Sequence, residues 1–83
     1  MTPEQCVQAR RLLGWSRYRL AGMSGVPESF VQIYENTGRA SPGRTQSAAE
    51  RVAASRHVLE AAGVEFVEEN GGGSGARLRR SRK

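Results

Sequence analysis

Ser16 to Glu35 reads SRYRLAGMSGVPESFVQIYE, and the spacing of its apolar residues decides the fold. The stretch predicts two short helices meeting at a tight corner. Leu20 and Ala21 lie inside the first helix, Gly25-Val26 make the corner, and Val31 and Tyr34 fall on the inward side of the second. A turn that sharp calls for a residue without a side-chain penalty, which Gly25 supplies. Leu20, Val26, Val31 and Tyr34 can then close a small apolar centre. This is the spacing of a helix-turn-helix.

Leu20-Ala21, Gly25-Val26, Val31, Tyr34-Glu35 and Gly38 resemble the helix-turn-helix of the Cro/C1-type repressors, the Xre family. The likeness continues into MTPEQC at 1–6, LLGWS at 12–16, LEAAGVEF at 59–66 and ENGGG at 69–73. Those flanks resemble a compact bacterial subgroup with a short C-terminal strand extension. The resemblance implies a mainly helical, lambda-repressor-like domain of four or five helices, followed by a β-hairpin or dimerisation strand. It also implies a second motif helix that enters a DNA major groove.

Working outward, 83 residues predict one domain. Residues 1–63 are read as the DNA-binding domain, 64–79 as the strand extension, and 80–83 as a disordered basic tail. A core this small is often helped by oligomerisation. The single cysteine excludes an internal disulfide and fits a reducing cytoplasm. No apolar run approaches the ~20 residues of a membrane span, and MTPEQ carries no signal-peptide pattern. The expected location is the bacterial cytoplasm, at the nucleoid.

The net charge of +5 is unevenly placed. Residues 1–63 carry eight Arg against five Glu, residues 64–76 carry three Glu and no base, and residues 77–83 carry four Arg and Lys83. Twelve of thirteen basic residues are Arg, and Asp is absent. The planar Arg fork binds phosphate bidentately, so a polyanion is the expected partner, double-stranded DNA before others.

Thr2-Pro3-Glu4-Gln5 opens the first helix, with Thr2 as cap, Pro3 at the first position and Gln5 completing a capping box. Cys6, Ala9 and Leu13 recur at helical spacing and face the core. Gly14 ends the helix in a left-handed cap, and Trp15 folds back as a lid. Cys6 reads as a small buried apolar residue.

Ser16 caps the second helix. Its first turn carries Arg17 and Arg19 where the family usually has an acidic or amide residue. Two cations there oppose the helix macrodipole by roughly 0.3–1 kcal/mol each, a cost that a bound phosphate would reverse. Ser16, Arg17 and Arg19 are therefore candidate phosphate contacts. A solvated face is the competing explanation.

The third helix, PESFVQIYEN, places Pro27, Glu28, Ser29, Gln32 and Ile33 on the outer side near its start. By resemblance these read base edges. Gln pairs with adenine, Ser with several groups, and Glu accepts from cytosine N4. Yet the helix carries no Lys or Arg, and Phe30 and Ile33 add apolar surface. Such a patch can mark a protein partner instead. Phe30 tucked against Arg17 or Tyr18 is the bland alternative.

Asn36, Arg39 and Arg44 occupy the following loop and are candidate backbone contacts. Thr45 to Ala62 reads as one long helix, with a possible break at Ala53-Ala54-Ser55, and His57 on its outer side. Gly63 stops it. Val64-Glu65-Phe66-Val67 then predicts a strand, 68–75 a loop, and Ala76-Arg77-Leu78-Arg79 the return strand. Two strands alone are marginal in water. Phe66 and Leu78 therefore need a surface, and a second subunit across a two-fold axis is preferred to the chain's own helices, with Val64, Phe66 and Leu78 as the candidate dimerisation residues.

One His, one Cys and no Asp leave little for catalysis. No zinc-ligand spacing occurs, and the run at 71–75 lacks the GK[ST] ending of a phosphate loop. No enzyme, metal or cofactor is expected. The expectation is a transcriptional regulator, a repressor, binding a palindromic operator as a homodimer. The alternative is a protein-binding module of antiactivator or antitoxin type that uses Phe30 and Ile33.

Overall fold

The computed structural model describes residues 1–67 and 75–79. They form a mainly helical chain closed by a small antiparallel hairpin. Helix α1 spans Pro3–Leu13, α2 Arg17–Ser24, α3 Glu28–Thr37 and α4 Ala48–Ala61, followed by β1 at Val64–Val67 and β2 at Gly75–Leu78. The loop expected over 68–74 and the basic tail at 80–83 lie outside the described residues. No helix among the described residues is long and apolar enough to cross a membrane.

Each helix start follows from local chemistry. The Thr2 hydroxyl accepts from the Gln5 amide, and the Gln5 side chain accepts from the Thr2 amide at 2.8 Å, completing a capping box. Ser16 accepts from the Arg19 amide at 3.0 Å. Ser47 and Glu50 form a second box ahead of α4. Pro27 precedes α3 without a side-chain cap. Gly14, Gly25 and Gly38 close α1, α2 and α3 in left-handed conformations, with φ of 71°, 73° and 79°. At Gly25 this conformation makes the corner between α2 and α3, which a β-branched residue could not take without strain.

Helix α4 is one element, without a break at 53–55, and it starts later than the composition of 45–62 suggests. Thr45 and Gln46 stay in the loop because Ser47 and Glu50 satisfy the first free amides only from Ser47 onward. The return strand begins at Gly75 rather than Ala76.

The core joins all four helices and β1. Cys6 and Ala9 come from α1, Leu20 and Ala21 from α2, Phe30, Val31 and Tyr34 from α3, Leu59 from α4, and Val64 from β1, with Val26 at the corner. Leu20, Leu59, Val31, Val64 and Cys6 are under 2% exposed. Burying a side chain of Leu or Val size stabilises the fold by about 1.5–3 kcal/mol, so these few positions carry much of the hydrophobic term. Leu13 and Trp15 are half-buried against them.

The hairpin register pairs Val64 with Leu78, Glu65 with Arg77, Phe66 with Ala76 and Val67 with Gly75. Side chains alternate along a strand, so Val64, Phe66, Ala76 and Leu78 share one face. That face lies on the chain's own helices: Val64 is 1% exposed, and the Arg56 guanidinium of α4 sits 5.2 Å from the Phe66 ring centre. Helix α1 holds the strands from the side. Gln5 Nε2 donates to the carbonyls of Val67 and Gly75 at 3.1 Å each, and Gln8 Oε1 accepts from the Ala76 amide at 3.0 Å. The surface sought for Val64 and Phe66 is therefore intramolecular, a correction to the preference for a second subunit. Leu78 stays 49% exposed at the rim.

Candidate nucleic-acid interface

Helix α3 divides its residues by side. Phe30, Val31 and Tyr34 are buried, while Glu28, Ser29, Gln32 and Ile33 are exposed, with Pro27 exposed just ahead of them. Positions i, i+1, i+4 and i+5 share a helix face, so the polar residues form one edge beginning at the N-terminus. The side chains of Glu28, Ser29 and Gln32 make no hydrogen bond among the described residues. Glu28 in the first turn is favoured by the helix dipole, which offsets part of its repulsion from any phosphate.

Phe30 does not belong to that edge. It is 3% exposed, lies parallel to the Tyr34 ring at 6.1 Å, and is covered by the Arg51 guanidinium at 5.5 Å. Its ring is stacked with Tyr34 of α3 and capped by Arg51 of α4, and it belongs to the same core as Leu20 and Ala21 of α2. The apolar surface expected from Phe30 and Ile33 together is thus reduced to Ile33, which is 44% exposed.

The two arginines opening α2 are both engaged. Arg17 Nε donates to Glu35 Oε1 at 3.0 Å, and its Nη2 reaches Asn36 Oδ1 at 3.4 Å. Arg19 lies over the Trp15 ring at 5.1 Å. These contacts explain how two cations are tolerated at a helix N-terminus without an acid in its first turn. Arg17 is 36% exposed, so part of its fork faces solvent beside the exposed Asn36. Ser16, Arg19, Arg39 and Arg44 are exposed, with the Ser16 hydroxyl already serving as cap.

Glu35 is the residue that sequence reasoning undervalued. Its side chain is 1% exposed, and it binds three partners: Arg10 through Nε at 2.7 Å and Nη2 at 2.8 Å, Arg17 at 3.0 Å, and the Cys6 thiol at 3.3 Å. Burial pushes the Glu35 carboxyl up, but hydrogen bonds from Arg10, Arg17 and Cys6 outweigh it and hold it below the ordinary carboxylate value. Arg10 is correspondingly raised, chiefly by its hydrogen bond to Glu35. The Cys6 thiol is pushed up to about 12 by burial and by the Glu35 charge. Arg10 also donates to the Trp15 carbonyl at 3.1 Å, so this network joins α1, α2, α3 and the lid. Arg and Glu 25 positions apart offer no local signal. A buried acid in an inward-facing helical register, next to Tyr34, was the available clue.

Of the candidate dimerisation residues, Val64 is in the core, Phe66 is half-buried beneath Arg56, and Leu78 is exposed. Among the described residues no group of three or more His, Cys, Asp and Glu side chains converges as a metal site would require. Neither a protein-family model nor a curated protein matches the chain.

Proposed function

We propose that this chain is a small DNA-binding transcriptional regulator whose α2 and α3 act as a helix-turn-helix. The observation that carries the reading is the division of α3. One side builds the core, and the other offers Glu28, Ser29 and Gln32 to solvent with no hydrogen bond among the described residues. In this reading Gln32 and Ser29 contact base edges, Glu28 accepts from a cytosine amine, and Ile33 meets a thymine methyl. Arg39, Arg44, Arg19 and the free side of Arg17 bind phosphates, with Ser16 and Asn36 beside them, and set the register. Regulation by repression at a palindromic operator follows from the family resemblance. A homodimer would place two α3 helices roughly 10 bp apart, or a multiple of that. Of the three candidate dimerisation residues, Leu78 at the hairpin rim is the exposed one.

Selection from random duplexes, followed by a salt titration on the selected site, tests the reading. The selected sites should be palindromic, and log affinity should fall linearly with log salt. Affinity that ignores salt, or selection that returns no shared sequence, defeats it.

A second reading is supported by a separate observation. Tyr18, Gly22, Met23 and Val26 line an open cleft of about 410 Å³ beside Arg19 and Glu28. Tyr18 is 74% and Met23 56% exposed. An antiactivator or antitoxin-like module would use such apolar surface, together with Ile33, to hold a protein partner. Salt-independent binding to a protein, with no duplex selected, would favour it.

A further inference from the structure

The loop between α3 and α4 is built around one unusual cation. Arg51, in the first turn of α4, lays its guanidinium over the Phe30 ring at 5.5 Å and donates from Nη1 to the Ser41 carbonyl at 3.3 Å. Its Nε is buried without a hydrogen-bond partner among the described residues, and it pairs with no carboxylate there. A solvated arginine would avoid that cost. What this one gains is contact with two elements at once: the aromatic back of α3 and the backbone of the loop.

Gly43 fits the same arrangement. Its backbone is not in the left-handed region, so glycine is not demanded there by conformation. It is demanded by space. A Cβ at Gly43 would overlap Arg51 Nη2 and come within 2.9 Å of Cζ. The Gly43 amide also donates to the Gln46 carbonyl at 2.8 Å, closing a turn over the guanidinium. Loop residues Arg39 and Arg44, one on each side of this contact, are exposed.

We infer that Arg51 is a positioning residue: it docks the α3–α4 loop on Phe30 and so sets where Arg39 and Arg44 stand relative to the outer edge of α3. The inference rests on the reading of that edge and of those arginines as a DNA interface. Arg51 touches no phosphate itself. Its role is to aim two cations at the phosphates beside that edge; with the loop released, those two contacts are not made.

The gentlest test is Gly43→Ala, because the group it displaces is the end of a flexible side chain rather than backbone. Arg51→Lys is the companion, since it keeps the charge but loses the planar fork and the stack. Trypsin cleavage after Arg39 and Arg44, followed by mass spectrometry, reads loop docking without any DNA. Both variants should be cut about tenfold faster than wild type while melting near the wild-type temperature. On the selected duplex, the slope of log affinity against log salt should fall by about two units, one for each loop arginine. Introducing either variant into an Arg39→Ala, Arg44→Ala background should then change the slope no further. Unchanged cleavage in both variants overturns the inference. So does faster cleavage with the wild-type salt slope retained, and either outcome leaves the DNA reading standing. Wild-type protein that binds no duplex at any salt removes the DNA reading and the inference together.

Discussion

Arg17 Nε donates to Glu35 Oε1 at 3.0 Å, tying the first turn of α2 to the later turns of α3. The same carboxylate takes two bonds from Arg10 and one from the Cys6 thiol. The relative placement of α2 and α3 therefore depends on one buried acid as well as on Leu20 and Val31. Glu35→Gln leaves two guanidinium groups without a counter-charge. Discounted for the partial exposure of Arg17, the loss should be about 2–4 kcal/mol, or a fall in Tm of about 10–20 °C in a chain of this size. The pH dependence has a definite sign. The folded-state pKa of Glu35 is lowered from 4.5, so its stabilisation is complete above that value and is lost as pH falls below it. Thermal melts between pH 7 and pH 3 should show this acid-side loss in wild type and a flatter profile in the variant.

Cys6 should be inert in the folded chain. Its pKa is raised from 9.0 to about 12, so the thiolate is scarce at any ordinary pH. Iodoacetamide at pH 9 should modify native protein about two to three orders of magnitude more slowly than protein unfolded in urea. The linked contribution to stability is present below 9.0 and is lost as pH rises toward 12. Equal labelling rates in the two states would contradict the buried bond to Glu35.

Gln5 connects the start of α1 to both strands. Gln5→Leu removes the donor to the Val67 and Gly75 carbonyls and half of the capping box. A cost of about 1–3 kcal/mol is expected. Hydrogen exchange would locate it: amides of Gly75 to Leu78 should lose more protection than those of α3. Uniform loss across the chain would mean that the hairpin is held mainly by other contacts.

Under the proposed DNA-binding function, Arg39→Ala and Arg44→Ala should each lower the salt slope of duplex binding by about one unit, uniformly across sequences. Gln32→Ala should instead relax preference at one position, by about 1–3 kcal/mol. Arg17→Ala is the less clean probe, because it also removes a bond to Glu35. Its effect on the melt must be measured alongside its effect on affinity. Fluorescence anisotropy on one selected site and one single-base variant separates the three outcomes.

Features set by neighbouring residues were legible in the sequence. Thr2 with Gln5, Gly14, Ser16 and Gly25 all act where their spacing puts them. The α4 start is set just as locally, by the Ser47-Ala48-Ala49-Glu50 box, which opens two residues beyond the expected start at Thr45. Contacts between distant segments were not legible. Phe30 faces inward because Arg51, 21 positions later, covers it. Val64 enters the core because α1 clasps the hairpin with two glutamine side chains. Periodicity describes one element at a time, and these side chains answer to several.

The Gln5 amide spans 62 residues to Val67 and 70 to Gly75. During synthesis α1 leaves the ribosome well before the two carbonyls that anchor it. Until β2 is released, Gln5 has Thr2 as its partner and the hairpin side of α1 lies bare. Closing so long a span is slow compared with forming a helical turn. Helix α1 is therefore made before its anchors and finished after them, and a pause in translation ahead of β2 would prolong the life of a nascent fold left open along that helix.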